Sequence, residues 1–233
     1  MWVCILLIAL GATSLALFLC EKIRKYSVKE TMIKSIASLL FITLAVYGFY
    51  HSGHHPFGIF VIVAMIFGLL GDIWLDFKYV FPEQSKSFTY AGFIVFGIGH
   101  ILYISGMITS FMGENWWWTL LIAIGTGLLG TLGVLLVEKP MKLKYGNYKW
   151  ICILYSFVLF AMVGTTAVVT ISSSFQAVPF NLLFAGGILF AVSDLILSGT
   201  YFGEGKERPV DIITNAVTYY AAQYLIAFSL FFL

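Results

Sequence analysis

The chain alternates between long apolar runs and short polar connections. Apolar runs of about 20 residues, the length an α-helix needs to cross a hydrocarbon core, fall near 2–20, 31–50, 57–77, 88–110, 116–137, 148–171, 180–199 and 210–232. They are taken as spans 1 to 8. The runs are continuous, whereas a barrel strand would alternate over about ten residues, so they predict helices. The expected fold is therefore all-α: a polytopic membrane protein with eight transmembrane helices in a single integral membrane domain, 1–233. The connections are too short to hold a soluble domain. Pro56, Pro82, Pro140, Pro179 and Pro209 fall in connections or at the first turns of spans, where a missing N–H is harmless. The first span begins at Trp2 with no basic segment before it and no small-residue cleavage site after it, so it is expected to be retained.

Composition adds one exclusion. With 61% hydrophobic and 10% charged residues, the chain lies outside the range of soluble globular proteins. The net charge of +2 decides nothing, but the placement of charge does. Lys22, Arg24, Lys25, Lys29 and Lys34 cluster at the first connection, Lys78 and Lys86 at the third, Lys139, Lys142, Lys144 and Lys149 at the fifth, and Lys206 and Arg208 at the seventh. Under the positive-inside rule the odd connections face the cytoplasm and both termini face the other side, with Trp116, Trp117 and Trp118 as an outer interfacial anchor. Such loop-end lysines predict a bilayer as partner and no nucleic acid. The compact loops favour a bacterial inner membrane over the endoplasmic reticulum. Cys4, Cys20 and Cys152 suggest neither a disulfide framework nor a metal site. His51, His54 and His55 share a turn with Gly53 and Pro56 on the outer face, away from any acid, so no metal or other cofactor is expected.

The candidate chemistry lies inside the spans. Asp72 and Asp194 interrupt spans 3 and 7, where translocon-derived scales put a central aspartate at about 2.5–3.5 kcal/mol against insertion. Each stands about five residues from the cytoplasmic end of its predicted span, so the carboxylates share a level. His100 and Tyr103 on span 4, and Asn215, Tyr219, Tyr220 and Gln223 on span 8, bring polar groups toward the same zone. Gly92, Phe96, His100, Tyr103 and Met107 follow helical steps along one face, as do Gly186, Phe190, Asp194, Leu197 and Tyr201, and Gly68, Asp72 and Asp76. The glycines read as helix-packing positions. Weak likeness between the halves, with His100 28 residues after Asp72 and Gln223 29 after Asp194, suggests two parallel four-helix repeats about an axis along the membrane normal.

Several of these residues fall in longer motifs. Phe67 to Leu75 reads FGLLGDIWL; Phe88, Gly92, Phe96, His100 and Tyr103 form FxxxGxxxFxxxHxxY; Tyr155 to Met162 follows; GGILFAVSDLIL begins at Gly186 and YYAAQYLI at Tyr219. Together, from span 3 to span 8, they resemble the YhhN-like lysoplasmalogenase family of eight-helix membrane proteins. In span 2, where the family tends to carry a Lys-Pro pair, this chain has Lys34-Ser35. The resemblance implies hydrolysis of the vinyl ether bond of a lysophospholipid, the lysoplasmalogen, to a fatty aldehyde and glycerophosphoethanolamine or glycerophosphocholine.

That chemistry suits the residues. A vinyl ether is cleaved by protonating the outer alkene carbon, and the resulting oxocarbenium ion captures water. Two carboxyl groups in unlike states supply an acid and a stabilising charge, as in glycosidases. Asp72 and Asp194 are the expected pair, with the acid unassigned. His100 and Tyr103 are expected to orient a carboxylate or water, and Gln223 to hold the ether or glycerol oxygen. Each of these three is also consistent with a plain interhelical hydrogen bond. Tyr155 and Ser193 in the resembling segments, with Asn215 and Tyr219, complete the supporting set. Lys34 is expected to snorkel to lipid phosphate or meet the head group, and Asp76 to be a solvated helix end or a supporting group. The spacing leaves oligomeric state and chain and head-group preference open. Two rival classes use similar acids. A small-solute or proton-coupled transporter lacks support from proline-broken spans, and a diaspartyl intramembrane protease lacks its GxGD form because Leu69 stands in the motif. No GxSxG occurs, so serine catalysis has no candidate.

Overall fold

In this computed structural model, which describes residues 2–24, 27–204 and 208–233, each apolar run is a helix: α1 (Trp2–Arg24), α2 (Val28–His51), α3 (Phe57–Val80), α4 (Ser85–Phe111), α5 (Trp116–Val137), α6 (Lys149–Ser172), α7 (Val178–Phe202) and α8 (Pro209–Ser229). The helices overrun several of the predicted spans by a few residues, because backbone hydrogen bonding continues past the last apolar side chain. The local signals match. Ser27 caps α2 by accepting from the backbone N–H of Glu30, and Pro179 and Pro209 sit in the first turns of α7 and α8.

The helices α1 to α7 are long and apolar enough to cross a membrane, and the chain is an integral multi-pass membrane protein. Helix α8 falls short of that apolar standard. Asp211, Thr214, Asn215, Thr218, Tyr219, Tyr220 and Gln223 break its apolar surface, and the last three of these are buried against other helices. The polarity of its second half, at Tyr219, Tyr220 and Gln223, thus belongs to the interior of the bundle.

Packing follows the chain within each half: α1 on α2, α2 on α3 and α3 on α4, then α5 on α6, α6 on α7 and α7 on α8. The main contacts between the halves are α4 on α6 and α2 on α8, with smaller ones of α8 on α1 and α3 and of α4 on α5. Helices α1 and α5 are peripheral, with Leu6, Leu17, Leu128, Leu129, Leu132 and Leu136 exposed as a lipid-facing surface requires. The basic connections gather at one end of the bundle. Lys22 of α1 meets Asp76 of α3, Tyr79 of α3 packs on Tyr201 of α7, and the backbone N–H of Lys144 donates to the carbonyl of Phe202. Lys25 and Lys206, counted above among the basic residues, lie outside the described residues.

Candidate active site

Asp72 stands eight residues before Val80, the end of α3, and Asp194 eight residues before Phe202, the end of α7. The two carboxylates thus share the level expected of them. Both line one cleft of about 740 Å³, together with Lys22, Lys34, Ser193, Asn215 and Tyr219. Their immediate surroundings differ.

On the Asp72 side the charges form a ladder descending from the basic end. Lys22 Nζ lies 3.1 Å from Glu30 Oε1 and 3.2 Å from Asp76 Oδ1; Lys34 Nζ lies 3.1 Å from Asp76 Oδ2 and 3.1 Å from Asp72 Oδ1. The sequence builds it simply: Glu30, Lys34 and Ser38 are spaced by four on α2, and Asp72 and Asp76 by four on α3, so each set shares a face. Both ammonium groups also lie over the ring of Phe18, at 5.1 and 5.7 Å, a contact that favours cations. The other oxygen of Asp72 accepts from Tyr219 at 2.9 Å and Ser38 at 3.3 Å, and the Tyr220 hydroxyl donates to the backbone carbonyl of Lys34 at 3.0 Å. Every oxygen of Asp72 is therefore engaged. With three acids and two lysines, the ladder carries one formal negative charge in excess.

Two expectations change here. Asp76 is not a solvated helix end: only 2% of it is exposed, because α1 and α2 bring two lysines over it. Lys34 does not snorkel outward; buried carboxylates one turn apart on α3 draw its ammonium inward.

On the Asp194 side no lysine or arginine approaches among the described residues. The Tyr155 hydroxyl donates to Asp194 Oδ2, and His100 Nε2 lies 3.2 Å from the same hydroxyl. Since the single Tyr155 proton goes to Asp194, the histidine donates Nε2–H to the tyrosine oxygen, and its Nδ1 carries the lone pair. That Nδ1 is buried without a hydrogen-bond partner. His100 thus reaches the Asp194 carboxylate through Tyr155. Asp194 Oδ1 makes no hydrogen bond among the described residues, and Asp194 is partly open to the cleft. Beside it, the Asn215 side chain donates to the Ser193 carbonyl at 2.8 Å and hydroxyl at 2.9 Å, locking α8 to α7 on the cleft wall.

Tyr103 and Gln223 lie elsewhere. The Tyr103 hydroxyl donates to Gln223 Oε1 at 3.4 Å, and neither residue lines the cleft that holds the aspartates. They occupy the expected helix faces further along α4 and α8, and Gln223 in turn meets Tyr219, whose hydroxyl donates to Asp72, so the pair reaches Asp72 through Tyr219 and does not line the cleft itself. The glycines confirm close helix approach. A Cβ on Gly92 would meet Leu75 at 2.4 Å and one on Gly186 would meet Ile226 at 2.7 Å. Lys22, Glu30 and Ser38 were not singled out by sequence reasoning; the four-residue polar stripe on α2 is the signal that marks the last two. No group of three or more His, Cys, Asp or Glu able to hold a metal occurs among the described residues.

Comparisons with curated proteins and with solved structures return no match. The sequence model of the YhhN family, in contrast, matches residues 29–230. That range takes in the α2 stripe, both intramembrane aspartates and the Tyr155 and His100 relay, so the chain belongs to the YhhN family.

Proposed function

We propose that the protein is a membrane hydrolase that cleaves the vinyl ether bond of a lysoplasmalogen, with Asp194 as proton donor and Asp72 as the fixed anion. Family membership suggests this class of reaction. The observation that carries the reading is that two carboxyl groups face one cleft, one clamped by Lys34 and the other held, among the described residues, by Tyr155 alone. Asp194 gives its proton to the outer alkene carbon, and the π electrons form the new C–H bond, leaving an oxocarbenium ion. The net negative ladder beside Asp72 stabilises that cation, an electrostatic role that needs no free oxygen on Asp72. Water adds to the cationic carbon and its proton passes to the Asp194 carboxylate, which restores the acid. The hemiacetal then collapses to a fatty aldehyde and a glycerophospho-alcohol.

In this reading α8 is the eighth span, the whole chain is one integral domain, and both termini lie outside a bacterial inner membrane. The halves are parallel repeats. Exchanging α1–α4 with α5–α8 converts each main packing pair into another: α1–α2 into α5–α6, α3–α4 into α7–α8, and α2–α8 into α6–α4. Cysteines introduced near Lys142 are expected to be labelled from the cytoplasm and those near Gly53 or Ser173 from outside; labelling of both groups from one side breaks the eight-span topology.

Purified protein is expected to cleave a lysoplasmalogen and leave its saturated alkyl-ether analogue intact. Solute uptake into vesicles or peptide cleavage, with the vinyl ether untouched, would instead assign the aspartates to a transporter or a protease.

A further inference from the structure

A second cleft, with about 630 Å³ of space counting its open mouth, lies among α4, α5, α6 and α7, walled by Phe93, Val134, Cys152, Leu159 and Phe160 among others. Most of its polar groups are already satisfied, the exception being the buried Tyr145 hydroxyl near the basic end, which has no hydrogen-bond partner. Ser156 donates to the Ile153 carbonyl at 2.9 Å and lies 3.3 Å from Thr131 Oγ1, and the Tyr155 hydroxyl is held by Asp194 and His100. Among the described residues, Asp194 and the Tyr145 hydroxyl are what such a space offers an occupant for hydrogen bonding, and the rest of its wall is apolar. Leu75, Phe96, Asp194, Leu197 and Tyr201 line both this cleft and the polar one, so the two spaces adjoin across the Asp194 carboxyl. The apolar space runs along α6 from Tyr145 and Phe202 near the basic end, past Tyr155, to Leu159 and Phe160, which lie further from it. The polar space reaches the basic end at Lys22.

We propose that this apolar cleft is an aliphatic-chain site, and that a single-chain lipid threads both spaces with its polar end beside Lys34 and Asn215, its first chain carbons at Asp194 and its tail between α4 and α6. The proposal rests on the hydrolase reading for the identity of the lipid. It also deepens that reading, because the carboxyl group assigned as acid stands among the residues shared by the two spaces, where the polar and apolar parts of such a molecule would meet. The site orients more than it attracts. Lipid tails are as apolar as the side chains here, so moving a chain from bilayer to cleft gains little affinity. Fixing the alkene against Asp194 is instead a gain in reaction geometry.

The test uses the full chain and a saturated alkyl-ether lysophospholipid carrying a photoreactive diazirine at mid-chain, which the enzyme does not cleave. Irradiation followed by peptide mapping is expected to place the label on residues 152–160 of α6 and 93–96 of α4. The unlabelled analogue is expected to compete it away, and Ser156→Trp or Val134→Trp to abolish it. Label on Phe18 or Ile212, in the polar cleft, overturns the proposal. So does uncompeted label along the exposed leucines of α5, or no label on the protein at all. Labelling does not depend on turnover, so the two readings fail separately. Label at α4 and α6 without vinyl ether cleavage would sink the catalytic reading alone, and cleavage with label elsewhere would sink the chain site alone.

Discussion

Asp72 and Asp194 occupy matching places in the two halves, yet their partners differ in kind. Lys34 precedes Asp72 by 38 residues and Tyr155 precedes Asp194 by 39; each is the seventh residue of its own helix, α2 or α6. In the proposed repeat, the same place on the preceding helix thus holds each aspartate, with an ammonium in one half and a phenol in the other. An adjacent cation favours the charged carboxylate, whereas a hydroxyl can hydrogen-bond a carboxyl group in either state. One residue type at one position is therefore enough to give two like side chains different work. The clefts follow the same division. The one beside the lysines is the more polar and the one beside the tyrosine is almost wholly apolar.

The sharpest way to break this contrast is to remove each carboxyl group in turn. Asp194→Asn deletes the proposed proton donor and is expected to lower kcat by about 10²–10⁴-fold, the usual contribution of general acid catalysis. Asp72→Asn is expected to fall in the same range while the protein still inserts and purifies. The double variant is expected to be little worse than either single one, since groups acting on one transition state are non-additive. Near wild-type turnover in either single variant removes that residue from the pair. Tyr155→Lys is the companion test. It places an ammonium where α6 now offers a phenol, which would hold Asp194 as an anion, and turnover is expected to drop as far as in Asp194→Asn.

The lysine side predicts a large effect on stability. Lys34→Met leaves Asp72 and Asp76 buried without their shared cation, and breaking a buried pair from one side costs about 3–5 kcal/mol. Thermal unfolding in detergent measures it. Tyr155→Phe removes one hydrogen bond to a carboxyl group, worth about 1.5–3 kcal/mol if that group is charged and less if it is neutral. Its smaller loss of stability, with a fall in kcat and little change in KM, marks a positioning residue. Equal destabilisation by the two variants would mean that the halves do not differ as described.

Much of this was legible in the sequence, for reasons that differ by residue. Helix positions follow from run length, and the shared level of Asp72 and Asp194 follows from counting along those helices. The inward face of His100 follows from periodicity, since Phe96, Tyr103 and Met107 share it and all four are buried. What periodicity lacks is the identity of the neighbouring helix. Asp76 lies near the end of an apolar run, and nothing local to α3 reveals that Lys22 from α1 and Lys34 from α2 close over it. Periodicity also leaves position along the face unresolved. Tyr103 and Gln223 sit on the correct faces and meet each other, but beyond the cleft that holds the aspartates. The spacing of Glu30, Lys34 and Ser38 was visible throughout, and on an apolar helix a polar stripe of that period marks the side turned toward the protein.

His100→Phe is expected to be milder than any of these, since the histidine touches the acid only through Tyr155 and its Nδ1 already lacks a partner. The heavy-water experiment expects a smaller rate effect still but tests the contrast at its root. If Asp194 protonates carbon, its exchangeable position fills with solvent deuterium before each turnover, and the aldehyde carries one deuterium on the carbon next to the carbonyl. Turnover is also modestly slower where proton transfer limits the rate. The aldehyde must be trapped at once, because later enolisation adds label independently, and preformed aldehyde incubated in parallel measures that background. Label above this control supports carbon protonation. Product with no deuterium above it indicates direct attack on the ether, in which case neither aspartate acts as an acid and the difference between Lys34 and Tyr155 has no catalytic meaning even though the substrate is cleaved.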